Sequence, residues 1–178
     1  MVSLQGRVVL ITGASSGIGA LTAKLLAERG AIPVLTARSR DKLLELSGTI
    51  KGDHEVYEMD VTSAEQVASV TAAIHARYGT IDILLNNAGY GEFIPFAEAP
   101  LSHFQEMMDV NYMGTVRCTH AVLPYMLQAG GGHIVNVASL AGKMATAKST
   151  GYAATKHAVL GFTNALRREF RGSGIYVS

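Results

Sequence analysis

VVLITGASSGIG, residues Val8 to Gly19, decides how this chain folds. An apolar run, Val8 to Ile11, stops at Thr12-Gly13. Three small residues, Ala14, Ser15 and Ser16, lead to Gly17, Ile18 and Gly19, and an apolar helical pattern continues to Ala27. The order reads as strand, tight glycine turn, helix. Glycine has no Cβ, so such a turn takes unusual dihedrals and lets a ligand come close. The following helix points its free N–H groups and the positive end of its dipole at the turn, where a diphosphate fits. The spacing differs from G-x-G-x-x-G, and no Lys-Ser/Thr follows as in a P-loop. A turn of this kind also serves as a plain strand-to-helix connection. The rest of the chain has to decide.

The rest of the chain repeats the same alternation. Strands are expected at about 7–12, 32–37, 55–59, 81–85 and 133–138, with a sixth opening at the final Ile-Tyr-Val-Ser. Helices are expected at about 17–29, 41–46, 63–78, 102–128 and 151–170. Pro33 belongs at the start of its strand, because it gives no ladder donor. Ser63 is a plausible N-cap. Pro124 should bend the long helix by removing a donor and crowding the His120 carbonyl. Strands one, two, four and five are apolar without clean alternation, as strands buried on both faces are. Repeated βα units imply a doubly wound parallel α/β sheet with helices on both faces, a Rossmann fold, in a single domain over residues 1–178. Ligands of such sheets bind at the carboxyl ends of the strands.

Composition narrows the function. The 178 residues are 48% apolar and 16% charged, which describes a globular domain. A net charge of +1 with no basic stripe gives nucleic acid nothing to hold. No apolar run is long enough to span a membrane. One cysteine, Cys118, allows no internal disulfide and fits a reducing, cytoplasmic compartment. The opening MVSLQGR does not read as a signal peptide. The six histidines do not cluster at ligand spacing, and no metal is expected.

The residues just after each strand carry the chemistry. Arg38 and Ser39 follow strand two, about 20 residues past the glycine turn, where a dinucleotide fold reads the adenine ribose. A guanidinium there suits a 2′-phosphate and argues for NADP(H) over NAD(H); a solvated surface arginine is the plainer alternative. Asp60-Val61 follows strand three, and Asp60 could accept from an adenine amine or cap the helix beginning near Ser63. Asn86-Asn87-Ala88-Gly89 follows strand four, small enough to let a cofactor lie across the sheet. Ser139 follows strand five. Tyr152 and Lys156 come next, one turn apart on one helix face. A Tyr-x-x-x-Lys spacing alone is weak, and a tyrosine lying along a surface lysine stem is its plain reading. At the ligand edge it gains weight, because an ammonium beside a phenol favours the ionised ring and so proton exchange near neutral pH. Ser139 would then hydrogen-bond the substrate oxygen. Asn111 lies inside the long helix, a poor position for asparagine. With Gly114 soon after, it points to a local distortion, unless it simply faces solvent.

Taken together, these residues resemble the short-chain dehydrogenase/reductase family. Thr12-Gly13-x-x-x-Gly17-Ile18-Gly19 matches its cofactor turn and Asn86-Asn87-Ala88-Gly89 its strand-four motif. Asn111, Ser139, Tyr152 and Lys156 match its catalytic tetrad in order. The resemblance implies NADP-dependent hydride transfer between nicotinamide and a small-molecule carbonyl or secondary alcohol. Tyr152 would be the general acid/base. Lys156 would also hold the nicotinamide ribose, and Asn111 a water linking Lys156 to solvent. Cofactor contacts would come from Gly13, Ser15, Ser16, Gly17, Ile18 and Gly19, from Arg38, Ser39, Asp60 and Val61, and from Asn87, Ala88 and Gly89. The family also implies a homodimer or homotetramer through the helices holding Tyr112–Met126 and Tyr152–Phe170. Its members normally continue past the sixth strand, so a C-terminal substrate lid and last strand are expected to lie outside this sequence, which reads as truncated. Two other readings stay open. One is an NADP-binding sensor or scaffold without catalysis. The other is isomerase or lyase chemistry on the same Tyr-Lys pair. Tyr90, Gly91, Phe93, Leu140, Met144, Ala145 and Thr146 flank the expected pocket and point to a compact, partly apolar substrate.

Overall fold

The computed structural model describes residues 3–178; Met1 and Val2, the first residues of the opening MVSLQGR, lie outside the described residues. Six parallel strands form one sheet in the order β3-β2-β1-β4-β5-β6. They are β1 Val8–Thr12, β2 Ile32–Ala37, β3 Glu55–Glu58, β4 Ile83–Asn86, β5 Gly132–Asn136 and β6 Ile175–Val177. Their connections carry α1 Gly17–Glu28, α2 Arg40–Ser47, α3 Ala64–Tyr78, α4 Leu101–Met108, α5 Gly114–Gln128 and α6 Thr150–Glu169. The strand order reverses between β1 and β4, and the ends of those two strands face the glycine turn.

Burial explains the apolar strands. All five residues of β1 are buried, because both faces are covered. On one face Val8 and Leu10 pack with Ile74 of α3 and with Cys118, Val122 and Met126 of α5. On the other, Val9 and Ile11 pack with Ala23 of α1 and Leu43 and Leu46 of α2. Cys118 is fully buried, and burial pushes its thiol up to about 12. Polar groups cross the core in one line: Asn86 Nδ2 donates to Thr119 Oγ1 and Asn136 Oδ1, and Asn136 Nδ2 donates to Thr163 Oγ1. This chain links β4, β5, α5 and α6, although Asn86 Oδ1 has no partner among the described residues.

Element ends follow local chemistry. Pro33 is the second residue of β2, opposite Val9. Ser63 caps α3 by accepting from the Gln66 N–H, and Gly79 ends it with φ 73°. The expected helix over 102–128 is interrupted, and the interruption falls at Asp109–Met113, not at Pro124, which lies inside α5. Those five residues form a π-helical turn that holds Asn111, which is 1% exposed. The distortion is there, and Asn111 does not face solvent. Strands four and five also differ at their ends from the expected ranges. Ile81 and Asp82 precede the ladder, with Asp82 Oδ2 accepting from the Val8 N–H. Val137 and Ala138 run past β5 onto the edge where the site lies.

Candidate active site

Gly13 and Gly17 take φ of 65° and 53°, a region open to glycine at little cost. Gly13 also lies so near β4 that a Cβ would stand 2.8 Å from Ala88 Cα. Gly19 lets α1 close beneath the turn, since a Cβ there would stand 2.5 Å from Gly13 O. Thr12 and Asn87 tie the turn to the end of β4. Thr12 Oγ1 accepts from the N–H groups of Asn87 and Ala88, and Asn87 Nδ2 donates to the carbonyls of Thr12 and Gly13. Ser16, before α1, makes no side-chain bond to the first helical N–H groups, which remain available to an anion.

A cavity of about 770 Å³ opens along the carboxyl ends of β1–β5. The turn supplies Gly13, Ser15, Ser16, Gly17 and Ile18 to its wall. Arg38 and Ser39 stand at one end, with Asp60 and Val61 after β3. Asn87, Ala88 and Gly89 line the middle, and Ser139, Tyr152 and Lys156 the far side. Of the expected catalytic and cofactor-binding residues two are elsewhere, and of the residues expected to flank the pocket only Tyr90 and Gly91 line the cavity. Gly19 packs behind the turn, and Asn111 stands behind the wall. Sequence reasoning missed Ala37, Met59, Val110, Val137 and Ala138 on this wall. Ala37, Met59, Val137 and Ala138 sit at or just past strand ends, so the rule that ligands meet strand ends would have found them if applied to whole strand ends; Val110 lies in the π-helical turn beside Asn111.

Local contacts decide what each side chain is free to do. Among the described residues Arg38 has no carboxylate partner, and Ser39 precedes α2 without a capping bond. Asp60 Oδ1 accepts from the Thr62 N–H and hydroxyl. Ser63 caps α3, so of the two readings of Asp60 the helix-cap one fails. Ser139 Oγ accepts from the Ala141 N–H, which leaves its own proton to donate. Tyr90 lines the same cavity; burial first, then Glu106 and Glu92, push its phenol up, so it stays a donor.

Asn111 uses its amide fully. Nδ2 donates to Tyr90 O at 2.8 Å and Thr155 Oγ1 at 3.1 Å, and Oδ1 accepts from the Tyr90 N–H at 2.9 Å. Thr155 Oγ1 in turn donates to Tyr152 O. Asn111 thereby ties the loop after β4 to α6.

Lys156 is 5% exposed, with Nζ 5.8 Å from the centre of the Tyr152 ring. Nζ donates to Val137 O at 2.8 Å. Burial disfavours its ammonium and lowers its pKa. Folding therefore loses free energy wherever the unfolded lysine is charged. The loss is full below the folded pKa and fades as pH rises through the ordinary lysine value near 10.4. Lys156→Met is expected to melt about 2–4 °C above wild type at pH 7, the gap closing as pH approaches 10.4. Equal melting temperatures at pH 7 would show that the Val137 bond offsets the burial.

Comparison with known proteins agrees with this geometry. The family model described as short chain dehydrogenase matches residues 7–178. An uncharacterized oxidoreductase of Staphylococcus saprophyticus is 40% identical over 182 residues, covering 100% of this chain and 78% of the relative. A metagenomic short-chain oxidoreductase, solved in complex with NADP, superposes with a TM-score of 0.94 at 35% identity, over 99% of this chain and 82% of its own. The apo form of LigO from Sphingobium superposes with a TM-score of 0.96 at 32% identity, over 100% of this chain and 68% of its own. Among the described residues no helix is long and apolar enough to cross a membrane, and no cluster of three or more His, Cys, Asp or Glu is placed to hold a metal ion. A glycine turn, a Tyr-Lys pair on the same cavity and a family match over nearly the whole sequence lead to one conclusion: the chain belongs to the short-chain dehydrogenase family and is an NAD(P)-dependent oxidoreductase.

Proposed function

We propose that the protein binds NADP(H) in this cavity and interconverts a carbonyl compound and its secondary alcohol, with Tyr152 as general acid/base. One observation carries the reading: Tyr152 and Lys156 line the same cavity as the glycine turn. The residues fit the cofactor. The turn offers free N–H groups where a diphosphate would lie. Arg38 and Ser39 offer unengaged donors to a 2′-phosphate, and Asp60 and Val61 would flank the adenine. Ala88 and Gly89 line the middle of the cavity with little side-chain bulk, while the Asn87 amide itself holds the turn. Bound, the nicotinamide supplies or takes up the hydride.

The other roles belong to the chain. The Tyr152 phenol gives its proton to the substrate oxygen in reduction and takes it back in oxidation. Ser139 donates its free hydroxyl proton to the same oxygen as charge gathers there. Lys156, whose Nζ donates to Val137 O, would hold the ribose hydroxyls when the cofactor is bound. Asn111 acts from behind the wall, holding Tyr90 and, through Thr155, the backbone of Tyr152. The same reading carries a cytoplasmic homodimer or homotetramer, consistent with the exposed apolar Met113 and Leu127 on the long helical run.

NADPH and NADH oxidation against a panel of ketones and aldehydes tests the proposal. NADPH consumption with at least one carbonyl, faster than with NADH, is the expected result. Tight NADPH binding with no consumption across the panel would favour a sensor and overturn the catalytic reading. Faster turnover with NADH would overturn the cofactor assignment.

A further inference from the structure

The loop after β4 comes close to the Tyr152 ring at Gly91. A Cβ on Gly91 would stand 3.0 Å from Tyr152 Cδ2 and 3.2 Å from both Cε2 and Cγ. The backbone of Gly91 is not in the left-handed region, so an alanine would fit its dihedrals. What excludes a side chain there is the ring.

The loop is fastened on both sides of this contact. Tyr90 is held through its N–H and carbonyl by the Asn111 amide. Glu92 Oε2 lies 3.0 Å from Nδ1 of His103, a buried residue of α4. Phe93 then sets its ring 6.0 Å from that of Tyr152, tilted by 58°. The Tyr152 hydroxyl has no hydrogen bond among the described residues; only its backbone carbonyl is engaged, by Thr155. With its hydroxyl free, the ring takes its place from packing alone.

We propose that Gly91 is a positioning residue for Tyr152. Its bare Cα seats the fastened loop against the ring and so fixes where the phenol hydroxyl stands at the cavity. The proposal rests on Tyr152 as the proton-transfer residue. Adding one methyl group at Gly91 moves the ring by a few tenths of an ångström, because the preceding residue, Tyr90, is held by both its N–H and its carbonyl to Asn111. Misplacement of a reacting group by about 1 Å costs about a hundredfold in rate. The smaller movement is expected to cost about tenfold in kcat on that scale.

A double-mutant cycle with Tyr152→Ala reads the contact without turnover. Gly91→Ala is expected to lower the melting temperature by about 2–4 °C in wild type and not at all in the Tyr152→Ala background, where the ring is gone. With NADPH and 4-nitrobenzaldehyde, Gly91→Ala should lower kcat about tenfold, while NADPH titrated by fluorescence binds within about twofold of wild type. Equal melting losses in both backgrounds would overturn the proposal. So would an unchanged kcat, or a kcat loss matched by lost NADPH affinity. If Gly91→Ala folds only when Tyr152→Ala accompanies it, the contact stands; if it folds in neither background, the proposal fails. A fully active Tyr152→Phe enzyme would remove the role of Tyr152 and leave the thermal cycle as an independent measure of the contact.

Discussion

Tyr152→Phe is expected to lower kcat for carbonyl reduction about a thousandfold, while NADPH binds within about twofold of wild type. The substitution removes one oxygen and keeps the ring, and the ring is what Gly91 and Phe93 touch. Because no hydrogen bond among the described residues holds that oxygen, its loss leaves no partner unsatisfied, and the melting temperature should stay near wild type. The effect therefore falls on proton transfer and not on the fold. Steady-state kinetics with a fluorescence titration of NADPH separate the two. Near-normal turnover would mean that another group gives the proton.

Arg38→Glu is expected to have the second largest effect. Arg38 is exposed, lines the cavity and has no carboxylate partner among the described residues. A charge-assisted hydrogen bond contributes about 1.5–3 kcal/mol, and a carboxylate in its place adds repulsion toward a phosphate. NADPH should bind about a hundredfold more weakly, and NADH, which has a hydroxyl there, should bind no worse than before. The preference between the two cofactors would then reverse. An NADPH KM within twofold of wild type would place the 2′-phosphate elsewhere.

The sequence was most legible where chemistry is local. The strand, glycine turn and helix at Val8–Glu28 follow from apolar patterning and from glycines at positive φ. The Tyr152–Lys156 pair follows from helical spacing, and the strand-end rule places both at the cavity. Asn111 was half legible. Its poor helix propensity announced a distortion, but nothing local says that its amide closes on the backbone of Tyr90, 21 residues earlier in the chain. Asn87 shows the same limit. An asparagine at a strand end suits a ligand contact, yet its amide is engaged by the carbonyls of Thr12 and Gly13. Gly91 was the least legible. Its lack of a side chain matters because a ring from α6 lies against it, and that approach exists only once the loop is fastened to Asn111 and His103. Pro124 stays inside α5, and the distortion expected around Asn111 falls at Asp109–Met113, where the Arg117 guanidinium bonds the Asp109 carboxylate at 2.6 Å and lies 3.3 Å from the Asp109 carbonyl.

Isotope transfer tests the central claim most directly. The purified protein is given NADPH deuterated at C4 of the nicotinamide, together with a carbonyl compound that it turns over, and the alcohol is analysed by mass spectrometry and NMR. The account predicts deuterium on the carbinol carbon with wild type and almost none with Tyr152→Phe in the same time. NADPH bound at the glycine turn with no label reaching any product would contradict it.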